Sequence, residues 1–120
     1  MKVSFGKLIF NYSMSNRTEK QCAVDDIIYN VLKTPKEEPY GAPVSFVRRC
    51  MNTDIVVCRL TNGDTIVKLA EVKKKTGRQI KDLDKLLQPL TISYKSSISK
   101  VLKDVELYAE QCINTAKKFL

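Results

Sequence analysis

The sequence has no histidine and no tryptophan among its 120 residues. Histidine is the usual general base, the commonest metal ligand and the side chain that titrates near neutral pH. Its absence excludes most catalytic and metal-binding constellations. We therefore expect a protein that binds its target without catalysis, and that needs no metal and no cofactor.

Glycine and proline are also scarce, with four of each, while 43% hydrophobic and 28% charged residues are typical of a globular chain. A chain of this length has room for one domain, residues 1–120. The apolar stretch before Asn11 is too short for a signal-peptide core, and no run of about 18 apolar residues occurs. We expect a cytoplasmic protein with no membrane partner.

The four cysteines are scattered, and no two of them form a C-x-x-C pair. Neither a zinc site nor a thioredoxin-like motif is indicated by this spacing. Their even number leaves two disulfides as an alternative, but without a secretory signal we expect buried, reduced thiols. The residues are Cys22, Cys50, Cys58 and Cys112.

The first half of the chain predicts a strand, a helix and a loop. Loose alternation over residues 2–13 is typical of a strand, and apolar residues at spacings of three and four predict a helix over residues 18–33, capped by Thr18. The β-branched content leaves a strand over residues 26–33 as an alternative. Three prolines within residues 34–43 predict a loop.

The clearest local signal is a hairpin centred on Asn62 and Gly63. Two runs of strand-forming residues, 55–60 and 65–70, flank this pair, and Asn-Gly favours the positive φ angles of a type I′ turn. A further short strand is predicted over residues 44–50.

Two helices are predicted after the hairpin. One begins at Gly77, where Thr76 and Gln79 have capping-box spacing, and ends at residue 88 before Pro89. A long one covers residues 93–119. The expected fold is α+β, with a small antiparallel sheet, one helix before it and two after. The broad apolar stripe of the last helix predicts a homodimer or higher homo-oligomer; packing wholly within one chain is the alternative.

The net charge of +8 is concentrated most strongly between residues 73 and 81, where no acidic residue occurs. Cations at a helix N-terminus are unfavourable by roughly 0.3 to 1 kcal/mol each when exposed, so their grouping predicts a bound anion such as phosphate. A solvated lysine-rich loop, balanced by Asp82 and Asp84, is the alternative. The predicted phosphate-binding residues are Lys73, Lys74, Lys75, Thr76, Gly77 and Arg78.

Arginines of the predicted sheet complete the candidate site. Arg48 and Arg49 lie on the strand over residues 44–50 and Arg59 lies in the hairpin, and a guanidinium matches phosphate geometry and stacks on bases. Tyr40, in the proline loop, is the predicted base-stacking residue, because it is the tyrosine expected to be exposed; the other tyrosines that could stack on a base are Tyr12, Tyr29, Tyr94 and Tyr108. Edge-strand charges that suppress aggregation are the alternative role of these arginines.

The order of elements over residues 44–120, with the glycine hairpin, the basic Thr76-Gly77-Arg78 step and two helices, resembles small bacteriophage accessory proteins. Among them it resembles the first family of Thoeris anti-defence proteins. The resemblance implies a non-catalytic sponge that sequesters cyclic ADP-ribose-type signals, and cyclic oligonucleotides, in pockets made by oligomerisation. None of that family's ligand-contacting residues can be assigned to a position in this sequence.

We therefore predict that the protein sequesters an anionic nucleotide-like ligand, as a phage anti-defence protein does in the host cytoplasm. Two alternatives stay open. The positive surface suits sequence-independent binding of nucleic acid, with an affinity that falls with salt. A phage inhibitor that binds a host protein would bind neither nucleotides nor nucleic acid.

Overall fold

The computed structural model describes residues 8–33, 54–70 and 87–117. Four strands form one sheet in the order β1-β2-β3-β4, with one helix after β1 and a long helix last. The predicted α+β class is confirmed. The elements are β1 (Leu8–Phe10), α1 (Glu19–Lys33), β2 (Ile55–Arg59), β3 (Thr65–Leu69), β4 (Leu90–Ile92) and α2 (Ile98–Lys117).

A capping box starts helix α1. The Gln21 amide donates to Thr18 Oγ1 at 3.1 Å, and the Thr18 amide donates to Gln21 Oε1 at 2.9 Å. The two residues thus satisfy each other's unpaired amides. The predicted helix and its cap are confirmed, and the alternative of a strand over residues 26–33 is wrong. Helical spacing puts the fully buried Ile28 and Leu32 on one face.

Replacing Thr18 with alanine should lower the free energy of unfolding by about 1 kcal/mol, because the Gln21 amide loses its acceptor. Thr18→Ser keeps the hydroxyl, so its free energy of unfolding should lie within about 0.3 kcal/mol of that of the unmodified protein. Urea denaturation followed by circular dichroism measures both. Equal losses in the two variants would show that the hydroxyl contributes nothing to helix stability.

Strand β1 lies parallel to β2, with Leu8 opposite Ile55 and Phe10 opposite Val57. The prediction of an antiparallel sheet is therefore wrong for this pair, while β2 with β3 and β3 with β4 are antiparallel as expected. Between β1 and β2 the chain forms α1 before it reaches the neighbouring position in the sheet. A connection that contains a helix is typical of parallel strands, whereas a tight turn makes an antiparallel pair.

The hairpin is confirmed, but its predicted type I′ turn is wrong. Gly63 has a φ of 98°, whereas Asn62 is not among the described non-glycine residues with positive φ. The Gly63 amide donates to the Leu60 carbonyl at 3.0 Å, and the Leu60 amide donates to the Asp64 carbonyl at 2.8 Å. This is a three-residue loop closed by a glycine. The Asn62 side chain favours it by accepting from the Asp64 amide at 2.9 Å.

Helix α2 packs against α1 and β4 within the same chain. It begins at Ile98, five residues later than predicted, because Ser97 Oγ accepts from the Lys100 amide at 3.2 Å as an N-cap. Ile98 and Leu102, at the start of the predicted stripe, stay 43% and 41% exposed. The predicted homo-oligomer stays a prediction. The buried residues of the stripe are Val101, Val105, Tyr108, Ala109 and Cys112.

Several predictions fall outside the described residues, namely the strand over residues 44–50, the proline loop and most of the helix from Gly77. Leu87 and Gln88, which were placed at the end of that helix, are not helical. Three of the cysteines, Cys22, Cys58 and Cys112, are free thiols. Within the same three described ranges, neither helix has the length and apolarity that crossing a lipid bilayer requires.

Candidate functional site

A cavity of about 260 Å³ opens between the first turn of α1, the hairpin loop and the end of β4. Two cations, Lys20 and Arg59, line it together with Thr65 and Tyr94, and its described lining contains no carboxylate. Three separate segments of the chain therefore meet at one cavity that has two cationic side chains in its lining.

Arg59 is held in place by the buried carboxylate of Asp25, which is 3% exposed. Arg59 NH2 donates to Asp25 Oδ1 at 2.9 Å, and NH1 lies 3.4 Å from Oδ2. Arg17 NH1 donates to the same Oδ2 at 2.9 Å, and the Tyr12 hydroxyl donates to Oδ1 at 2.6 Å. Two arginines thus share one carboxylate, so this cluster carries a net positive charge.

Tyr12 adds a second constraint on Arg59. Its ring lies 4.5 Å from the guanidinium carbon, a cation–π contact, and Phe10 meets it edge-on with 5.9 Å between the ring centroids. Burial, together with the hydrogen bond to Asp25, raises the pKa of the Tyr12 hydroxyl above its ordinary value. Tyr12 therefore stays protonated and keeps donating to Asp25 at physiological pH.

One donor of Arg59 has no partner among the described residues. Its NH2 group also donates to Thr65 Oγ1 at 3.1 Å, but the buried Nε has no acceptor there. Leaving a buried donor unpaired costs about 1 to 3 kcal/mol, and more for a charged group. This N–H belongs to a side chain that lines the cavity beside Thr65.

Lys20 and Tyr94 form the rim of the cavity. Lys20 Nζ donates to the Tyr94 carbonyl at 2.6 Å, which ties the start of α1 to the segment between β4 and α2. The Tyr94 amide donates to Asp64 Oδ1 at 2.9 Å, and the ring of Tyr94 is half exposed. A Cβ added at Gly63 would lie 3.3 Å from Tyr94 Cβ, so the glycine lets the hairpin approach this tyrosine closely.

Of the predicted site residues, Arg59 is the one that lies in the described part of the chain, and it lines this cavity. Its neighbours Lys20 and Asp25 were not predicted as binding residues, and Tyr94 was considered for base stacking but Tyr40 was preferred. No local pattern marks them, because Lys20 and Asp25 lie on α1 and Tyr94 follows β4, and only folding brings these segments close to Arg59. The predicted residues outside the described ranges are Tyr40, Arg48, Arg49, Lys73, Lys74, Lys75, Thr76, Gly77 and Arg78.

Chemically, the arrangement offers charged and neutral hydrogen-bond donors and an exposed aromatic ring. Across residues 8–33, 54–70 and 87–117, no group of three or more cysteine, aspartate or glutamate side chains is placed to hold a metal ion. Comparison with protein-family models, with curated proteins and with solved structures finds no match to this chain.

Proposed function

We propose that the protein binds an anionic, nucleotide-like small molecule in the cavity beside Arg59 and holds it without transforming it. The observation that carries this proposal is a cavity whose described lining has two cations and no acid, one of the cations being Arg59, whose buried Nε has no acceptor among the described residues. A phosphate oxygen bound beside Arg59 and Lys20 could give that N–H an acceptor. Charge-assisted hydrogen bonds of this kind are about twice as strong as neutral ones.

The fixed position of Arg59 supports the same proposal. Asp25 takes the two terminal nitrogens of the guanidinium and Tyr12 stacks on it, so little conformational entropy remains for a ligand to remove. Preorganisation of this kind raises affinity by lowering the cost of binding. Because Arg17 shares the charge of Asp25, the cluster stays positive toward an anion.

A protein that only holds such a ligand lowers its free concentration, which is the sequestering action that the sequence resemblance implies. We accordingly propose a non-catalytic role in the cytoplasm, where nucleotide signals act. Nucleic acid and a host protein remain the competing partners, and the experiment below separates a small nucleotide from nucleic acid.

Titration calorimetry with AMP, cyclic ADP-ribose and a cyclic dinucleotide tests this function. At least one of them should bind, and Lys20→Met should weaken it about ten-fold, because one cation at the rim is lost. Arg59→Lys, which keeps a charge beside Asp25 but removes the Nε donor, should weaken it similarly.

Lys103→Met is the matched control, since Lys103 is exposed on α2 and does not line the cavity. It should leave the affinity unchanged. Absence of binding by all three nucleotides at millimolar concentration would overturn the proposal. If the protein instead bound a short DNA duplex, with an affinity that fell steeply as the salt concentration rose, the nucleic-acid alternative would be favoured.

A further inference from the structure

We infer that the ligand of this cavity is a single nucleotide unit, with its phosphate between Arg59 and Lys20 and its base against the ring of Tyr94. The inference rests on the proposed function and specifies the class of ligand. It follows from the volume of the cavity, from the different exposure of Arg59 and Tyr94, and from the hydrogen bond that Lys20 now makes.

The volume limits the ligand to one unit. Cavities that bury drug-sized molecules measure roughly 300 to 1,000 Å³. At about 260 Å³ this cavity lies just below that range. We expect this volume to accommodate one nucleotide, so the second of two joined nucleotides would lie in solvent.

The two ends of the cavity differ in chemistry, which orients the ligand. Arg59 is 11% exposed and forms the floor with Thr65, whereas Tyr94 is 50% exposed and stands at the rim. The guanidinium of Arg59 on the floor favours the phosphate, with Lys20 reaching it from the rim, and the partly exposed Tyr94 offers a ring on which any base can stack. Lys95 Nζ lies 5.6 Å from the centroid of that ring and adds positive charge at the mouth.

Lys20 can bind the phosphate of the ligand without a large movement of its side chain. Its ammonium now donates to the neutral carbonyl of Tyr94 at 2.6 Å. An anionic phosphate is a better acceptor than a carbonyl, so we expect Lys20 to exchange one for the other when the ligand binds. Because the ammonium has three donors, it can also keep the carbonyl while it binds phosphate.

Calorimetry of the full chain with AMP, ribose 5-phosphate, adenosine and cyclic di-AMP tests the inference. AMP should bind about ten-fold more tightly than ribose 5-phosphate, because stacking on one aromatic side chain typically contributes that much. Adenosine should bind more weakly than either phosphate compound. Cyclic di-AMP should bind no more tightly than AMP.

Tyr94→Ala should abolish the difference between AMP and ribose 5-phosphate, while Tyr94→Phe should keep it. Tyr29→Ala is the matched control, because Tyr29 is an equally exposed tyrosine of α1 outside the cavity lining. The inference would be overturned if Tyr94→Ala left the ratio of the AMP and ribose 5-phosphate affinities unchanged, or if cyclic di-AMP bound more tightly than AMP. The proposed function would stand in either case if Lys20→Met still weakened binding. Failure of every phosphate compound to bind would overturn both.

Discussion

Replacing Asp25 with asparagine should lower the free energy of unfolding by about 3 kcal/mol, one of the two largest effects that we expect from a single substitution. The carboxylate is 3% exposed and is the shared acceptor of Arg59, Arg17 and Tyr12. Without its charge, the almost buried guanidinium of Arg59 is left uncompensated. Urea denaturation with linear extrapolation measures the loss.

Asp26→Asn provides the matched control, because Asp26 is the next residue of α1 and is exposed. It should change stability by less than about 0.5 kcal/mol, as most surface substitutions do. The double variant Asp25→Asn with Arg59→Met should be more stable than Asp25→Asn alone, because it removes the uncompensated charge. Similar stability of Asp25→Asn and Asp26→Asn would show that the cluster does not contribute to the fold.

Replacing Ile28 with alanine should lower the free energy of unfolding by about 2 to 5 kcal/mol. Ile28 is fully buried on α1, the helix that packs against α2. Truncation removes its apolar contacts and leaves a cavity that a close-packed core fills only in part. Thermal or urea unfolding followed by circular dichroism at the helix signal gives the value.

Ile98→Ala makes the same chemical change at a residue that is 43% exposed, so it should have a much smaller effect, below about 1 kcal/mol. If the two substitutions destabilised the protein equally, Ile28 would not lie in a close-packed interface. A loss at Ile28 with an unchanged denaturant slope would show that the unfolded state is unaffected.

Local signals in the sequence predicted helix α1 and the hairpin correctly. The spacing of Val24, Ile28 and Leu32 and the Thr18 cap act within a few residues, so they can be recognised without knowledge of the rest of the chain. The same holds for the strands around Gly63. Its turn type was wrong because the side chain of Asn62 binds Asp64, a contact that the Asn-Gly pair alone does not reveal.

The pairing of strands depends on distant contacts, and there the sequence was insufficient. The parallel direction of β1 depends on how α1 packs, which no local pattern encodes. Strand β4 was missed because three residues after a proline are too few to show alternation. It pairs with β3 all the same, since the edge of the hairpin offers free backbone groups.

One residue that lines the cavity was predicted from the sequence, and the residues around it were not. Arg59 was predicted because a strand arginine suits phosphate, and the structure places it in the cavity. Lys20 and Tyr94 are 74 residues apart and meet through a single hydrogen bond. Asp25 is adjacent to an exposed acid of the same type, so only burial distinguishes it.

The packing of α1 on α2 has a consequence for synthesis. The apolar face of α1 leaves the ribosome well before α2, since sixty-four residues separate Lys33 from Ile98. At a synthesis rate of about 5 to 20 residues per second, this face stays uncovered for on the order of 3 to 13 seconds before synthesis of α2 begins. During that interval the nascent chain exposes apolar surface that α2 later covers, and such surface is prone to aggregation.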